Sequence, residues 1–375
     1  MNNSNKSDVG EELLSMKSSK KRIKPVFILL GIALLFISIG VLLAVLPKDK
    51  SDSDITNNDN NVVDSDNNND DNNSNIEEKE VQIIDVNSKT RPYAVMINCH
   101  NAALPQAGLD KAYIVYELMV ESGITRMMAL FKDIDSDKIG SVRSARTQYL
   151  GYVLENDAIY VHAGGAPDAL ERISSEKFAD IDVDGKYGVR DKNLKRAYEH
   201  TLFTKTSLLE KGTSDKKLRD TTETSNLLTY SANELDLSKY QTVSANDVSI
   251  KYSNYRTSNY EYDSNTKTYL RSMNSKDNTD LVTGEQYKVK NIIVYAVKYS
   301  TYTSHNYSGY QKVDNIGTGE GYYITNGVAL PITWSKSSES SQTVYKIKET
   351  GENLIVNDGN TYIQIYPTSG KLTIN

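Results

Sequence analysis

Residues 180–191 read DIDVDGKYGVRD, with carboxylates at positions 1, 3, 5 and 12 of a twelve-residue frame and Gly185 at position 6. That spacing approaches a calcium loop, in which oxygen ligands wrap one hard cation and the glycine makes the sharp turn. Two positions argue against calcium. Position 12 is Asp191 rather than the usual bidentate glutamate, and position 8 is Tyr187 where an aliphatic residue is normal. Asp180 to Gly185 is therefore expected to be a helix exit and a turn rich in Asp and Gly. No metal and no other cofactor is expected.

Cationic and glycine motifs suggest different chemistry. GSVRSAR, residues 140–146, places Arg143, Ser144 and Arg146 at a strand end and the first turn of a helix. A cation at a helix N-terminus is unfavourable unless an anion or carboxylate shares the site. Two alternatives follow: a bound anionic ligand, or an internal pair with Glu117 or Glu121. HAGGAPD places His162 at a strand end, then Gly164 and Gly165 before a helix. Those glycines allow either close backbone approach to a ligand or simply a tight strand-to-helix turn. Arg190, Asp191, Arg196 and His200 could bring a charge pair and an imidazole to the same pocket.

Glu117 and Glu121 lie four apart on a predicted strand and so on one face. They could do acid/base work or hold a cation, but Arg126 across the turn is expected to neutralise them. Cys99 is the lone cysteine, which excludes an intrachain disulfide. His100 adjoins it, yet an unreactive, partly buried thiol is the expected reading. There is no G-x-S-x-G elbow, no H-E-x-x-H helix and no phosphate-binding glycine loop. No catalytic machine is recognisable, so catalytic residues stay unassigned.

The elements that must position these residues alternate between strand and helix. RPYAVMINC reads as a strand. AYIVYELMVE and TRMMALFKDI form a hairpin about Ser122-Gly123. GSVRS is a short strand, ARTQYLGYVLEN a helix, AIYVHA a buried strand and APDALERISSEKFA a second helix. From 81 to 217 this is a mixed α/β pattern. Residues 218–243 read as a connector with some helix. Residues 244–375 are strand-rich and tyrosine-rich, so a β-rich second domain is expected. Those tyrosines suit cross-strand pairing better than carbohydrate stacking. The fold class is thus α+β.

The N-terminal region has another character. Residues 26–46, VFILLGIALLFISIGVLLAVL, are uncharged and almost wholly apolar. A helix needs about 20 such residues to cross a bilayer. Lys17, Lys20, Lys21, Arg22 and Lys24 precede the run. The positive-inside bias then places residues 1–24 in the cytoplasm and the folded part outside. AVLPKDK is a poor signal-peptide cleavage site, so an uncleaved single-pass anchor over 25–46 is expected. Residues 47–80, dominated by Asp, Asn and Ser, are expected to be a disordered tether. The formal net charge of -6 gives no sign of nucleic-acid binding. The expected partners are the membrane and either an envelope protein or an anionic cell-wall ligand.

RPYAVMIN, LPQAGLDKAYIVYELMVESGITRMMALF, GSVRSAR, AIYVHAGGAP and the RD…H stretch together resemble the DUF3048 family of YerB-like lipoproteins. YEYDSNTKTYLRSM, VKNIIVYAVKYS and GTGEGYYITNGVALPITW are similar to that family's second domain. The resemblance spans 91–367 and implies a bacterial envelope protein outside the cytoplasmic membrane, with no generally established activity. It places Arg143, Ser144, Arg146, His162, Gly164, Gly165, Arg190, Asp191 and His200 at the family's polar motif positions. Glu117, Glu121, Gly123, Thr125 and Arg126 match its hairpin motif. The chain departs from many members at Asn98-Cys99, Leu104 and Thr201, and a helix replaces their lipidated cysteine.

The resulting expectation is a membrane-anchored extracytoplasmic protein that binds an anionic ligand or a partner, in a regulatory or scaffolding role. The alternatives are an envelope enzyme acting on a phosphorylated or lipid-linked glycan, and a structural protein whose Arg and Glu motifs pair internally. An enzyme is the less favoured of these.

Overall fold

Strands β1 (Tyr93–Asn98), β2 (Ile114–Met119) and β3 (Thr125–Phe131) are buried along nearly their whole length. Their near-continuous apolar sequences reflect cover on both faces. Alternate residues then enter two cores. Ala94, Met96, Tyr116 and Met128 face one, and Val95, Ile97, Val115 and Met127 face the other. A computed structural model describes residues 79–303 and 309–375. The tail over 1–24, the expected anchor over 25–46 and all but the last two tether residues lie outside that range. Among the described residues no helix is long and apolar enough to cross a membrane.

β3 lies antiparallel between β1 and β2. Beyond β1 the sheet continues in parallel through Ile159–His162 and Asp180–Asp182. Beyond β2 it continues in parallel through Thr361–Pro367 and Asn291–Thr301. A hairpin, Gly317–Thr325 and Val328–Lys336, extends that side. The result is one 12-stranded sheet. The stretches read from sequence as separate domains therefore meet in it, through pairs from Ile114↔Thr361 to Leu118↔Ile365.

One face is covered by α1 (Thr147–Glu155) and α2 (Pro167–Ser175), which bury Leu150, Tyr152, Ala169 and Ile173 against it. Pro167 opens α2 where its missing N–H costs nothing, and Asp168 suits the first turn. The other face carries α3 (Thr206–Asp215) and a 6-stranded antiparallel sheet built around Asp247–Lys251, Thr257–Asp263 and Thr268–Met273. Tyrosines fill much of both cores, Tyr116, Tyr149 and Tyr160 on one side and Tyr252, Tyr260 and Tyr362 on the other.

Two local expectations change. Asp180–Asp182 is a strand rather than a helix exit, because Ile181 completes the core beside Val161 and the turn comes only afterwards. The 218–243 connector carries a strand at Thr229–Ser231 and no helix.

Candidate functional site

β1, β2, Ile159–His162 and Asp180–Asp182 all run in one direction. Their carboxyl ends bring Asn98, His100, Glu121, His162, Gly164 and Asp182 to one edge of the sheet. β3 begins at that edge with Thr125 and Arg126. In open α/β sheets, crevices at the carboxyl ends of parallel strands are the usual ligand sites.

The GSVRSAR segment is wedged into this edge. β1 and Ile159–His162 stay paired only as far as Val95↔Val161. Past that point the segment fills the gap. Arg143 N donates to Met96 O at 2.9 Å, Ala163 N to Arg143 O at 3.1 Å, and Ala145 N to Gly164 O at 2.9 Å. Asn98 N completes the seam by donating to Ser141 O at 3.0 Å.

Arg146 and Arg126 are both spent on Glu121. Arg146 Nε donates to Glu121 Oε2 at 2.8 Å, and its Nη2 pairs closely with Oε1. Arg126 Nη2 reaches Oε1 at 3.1 Å, and its Nη1 donates to the Ser144 carbonyl at 2.6 Å. Burial alone would raise the Glu121 pKa, but Arg146 and Arg126 outweigh it and hold the carboxyl below its usual range. Burial, reinforced by the charge of Arg146, brings Arg126 down to about 10, so it is still a cation at pH 7.

Glu117 does not share this pair, contrary to the expectation of one common face. It points into the layer between the two sheets. There it accepts from Arg271 Nη2 at 2.8 Å, Thr125 Oγ1 at 2.6 Å and Ser258 Oγ at 3.1 Å. Glu121 lies past the strand end, so the four-residue spacing no longer keeps the two on one face.

His162 and the glycines form a turn. His162 is buried, with Nδ1 2.9 Å from Gly164 O and Nε2 3.4 Å from Asp180 Oδ2. Gly164 has φ +56° and donates to Asp182 Oδ2 at 3.2 Å, while a Cβ on Gly165 would press on Leu170 and Ala145. Arg190 is held by Asp184 Oδ1 at 2.8 Å and stacks 3.5 Å above the Tyr198 ring. Asp191 turns away to Lys138 Nζ at 2.5 Å. Arg196 donates to Ala103 O at 2.7 Å. The four aspartates of the calcium-like frame thus serve four different partners, and the described residues hold no cluster of three or more His, Cys, Asp or Glu placed to bind a metal.

Arg143 differs from all of these. It is half-buried, and its guanidinium has no hydrogen bond or ion pair among the described residues. Its nearest influences include Glu199 and His200, whose titrations its charge shifts. His200 is nearly buried and stacks on His100 with ring centroids 5.0 Å apart. Asn98 Oδ1 accepts from His100 N at 3.0 Å, so its Nδ2 is the group 2.9 Å from His200 Nδ1. A donor there makes Nδ1 the acceptor and assigns the His200 proton to Nε2. His100 likewise accepts at Nδ1, from Ala102 N at 3.2 Å. Burial, followed by the charges of His100, Arg143 and Arg196, lowers the His200 pKa against the pull of Glu199. His200 is therefore neutral at pH 7, and among the described residues the edge offers Arg143 as a cation without an ion pair, beside two imidazole N–H donors.

The same motifs identify the family. Residues 81–219 match the profile described as "Protein of unknown function (DUF3048) N-terminal domain", and 248–363 match its C-terminal domain. The chain belongs to the DUF3048 family. It is 28% identical over 292 residues to YerB of Bacillus subtilis (strain 168), which its name describes provisionally as a lipoprotein; the match covers 75% of this chain and 82% of the relative. The crystal structure of the Bacillus subtilis YerB protein superposes with a TM-score of 0.65 at 27% identity, covering 76% of this chain and 94% of that one.

In this DUF3048 chain, two sets of polar residues escape sequence reading. His100 and Asn98 are one, noticed only as neighbours of Cys99. The other is the interlayer group of Arg271, Arg256, Ser258 and Tyr252. A signal did exist: in TYLRSM the alternation that buries Tyr269 and Met273 also turns Arg271 inward. Cys99 is fully buried, and burial, aided by Glu117, pushes its thiol up to about 12, which fits the unreactive reading.

Proposed function

We propose that this protein stands outside the cytoplasmic membrane and holds an anionic ligand, or an acidic group of an envelope partner, at the carboxyl edge of its large sheet. Arg143 would supply the charge, and His100 and His200 would supply imidazole N–H donors. The observation that carries this reading is the contrast among arginines. Arg126, Arg146 and Arg190 are each committed to a carboxylate, while Arg143, on the same edge, is committed to none among the described residues. A half-buried guanidinium loses hydration without recovering it from the protein, so an incoming carboxylate or phosphate gains a charge-assisted bond at little reorganisation. Similarity to a protein named for a lipoprotein, together with the apolar run over 26–46, supports the extracytoplasmic placement.

Calorimetric titration of the full-length protein with inorganic pyrophosphate tests the site. Wild type should bind, and Arg143→Gln should bind at least about tenfold more weakly, the loss of one charged hydrogen bond. Equal binding by both would remove Arg143 from the site. Capture of envelope components by wild type and by Arg143→Gln extends the test to macromolecular partners. Digestion of the folded part by protease added outside intact protoplasts would support the placement, and protection would refute it.

A further inference from the structure

The layer between the two sheets contains an unbalanced charge. Arg256 and Arg271 are 1% and 0% exposed, and Glu117 is 0% exposed. Arg271 is neutralised by Glu117 at 2.8 Å. Among the described residues, Arg256 has no carboxylate within ion-pairing distance. Its Nη2 donates to the Cys99 carbonyl, but Nε and Nη1 have no partner among those residues. Two guanidinium groups facing one carboxylate leave one positive charge over, and the neutral Cys99 thiol does not balance it. An arginine does not escape this position by losing its proton.

The neighbourhood is polar rather than oily. Tyr252 N donates to Arg256 O at 3.0 Å, so these residues face each other across the Ser253–Tyr255 turn and point the same way. Tyr252 OH lies 3.1 Å from Gln364 Oε1, while Gln364 Nε2 is itself buried without a partner. Gln364 sits opposite Glu117 on the adjoining strand, on the face turned to Arg256 and Arg271. Buried donors of this kind are rarely left unmet in a folded protein, and a charged one least of all.

We propose that Arg256 holds a small monovalent anion of the size of chloride between the two sheets, through its unpartnered Nε or Nη1. The turn beside it, which carries Tyr255, is exposed to solvent. The ion would neutralise the surplus charge and tie the six-stranded sheet to the end of β1 through Cys99. The Cys99 carbonyl joins this site to the strand end that carries Asn98 and His100, but the proposal does not depend on the function proposed there.

Thermal and urea unfolding of the full-length Arg143→Gln protein, in sodium chloride against sodium gluconate at equal ionic strength, reads this site without the edge. Above the dissociation constant, each tenfold rise in chloride should raise the folding equilibrium constant tenfold, the slope for one bound ion. Adding Arg256→Met should abolish the difference between the salts. A chloride effect that survives Arg256→Met, or no effect at all, would overturn the proposal. If Arg256→Met fails to fold, bromide-soaked crystals decide it: an anomalous peak against Arg256 is expected, and none there would overturn it.

Discussion

The buried pair Arg271–Glu117 allows a prediction in which two halves of one ion pair behave differently. Removing either partner of a fully buried pair generally costs about 3–5 kcal/mol, because the other charge stays buried. Here the third charge, Arg256, breaks the symmetry. In Arg271→Met, Glu117 keeps the hydrogen bonds from Thr125 at 2.6 Å and Ser258 at 3.1 Å and still feels Arg256. Met also fills most of the space between the Tyr260 and Tyr362 rings, which lie 5.9 and 5.8 Å from the guanidinium carbon. In Glu117→Gln, Arg256 and Arg271 remain together with no carboxylate. Arg256 feels both Glu117 and Arg271, and at an effective dielectric near 20 neighbouring unit charges interact by about 2 kcal/mol. That term is attractive in the first variant and repulsive in the second. Glu117→Gln should therefore be the more damaging by at least about 2 kcal/mol, and both variants should lose on the order of 10 °C in Tm. Equilibrium urea unfolding of full-length protein at pH 7 in low chloride, followed by circular dichroism, measures the gap. Equal losses, or a greater loss in Arg271→Met, would refute the charge count on which the anion site rests. Added chloride should narrow the gap, since Glu117→Gln has more positive charge to offset.

Other expectations separate structural from ligand-facing groups. Arg143→Gln should change stability by no more than about 0.5 kcal/mol, whereas Arg146→Gln strips Glu121 of its closest partner and should cost about 1–3 kcal/mol. The folded-state pKa of Glu121 is depressed, so its contribution is present above the unfolded carboxylate range and lost as pH falls through the folded value. Arg146→Gln should accordingly move the acid unfolding limb to higher pH in a circular dichroism titration. His200 should titrate below the ordinary imidazole value by proton NMR, and Arg143→Gln should raise that value, since the Arg143 charge helps to hold it down. Its stabilising contribution is present above the unfolded pKa of about 6.5 and falls as pH drops toward the folded one. Calcium should leave the melting temperature unchanged, because Asp180, Asp182, Asp184 and Asp191 already serve Lys216, Gly164, Arg190 and Lys138.

Much of the fold was legible because local pattern and burial agree. The hairpin of β2 and β3 follows from two apolar runs about a Ser-Gly turn, and α2 from Pro167 and its amphipathic spacing. What local pattern could not show was the sheet shared by both halves. Ile114–Met119 and Thr361–Pro367 are adjacent in space and some 250 residues apart in the chain, and neither carries a mark of the other. Short strands were also hidden. Asp180–Asp182 contributes one inward residue, Ile181, and its aspartates look like a turn until the parallel neighbour Tyr160–His162 is supplied.

The site was legible in its residue types but not in its pairings, and the spacing of Arg143 and Arg146 shows why. Both belong to one segment that is extended until α1 begins, with Arg146 itself still extended as the residue capping the helix. In extended chain, residues three apart point to opposite sides. Arg146 therefore turns toward Glu121 and the Tyr310 ring, and Arg143 takes the other side, where its charge acts on Glu199 and His200. One side already holds a carboxylate fixed by the hairpin. The other holds two stacked histidines, with Glu199 acting on Arg143 only at a distance. The same strand geometry that closes the Arg146 pair leaves Arg143 open. That difference, rather than the number of arginines in the motif, is what the proposed anion site at this edge rests on.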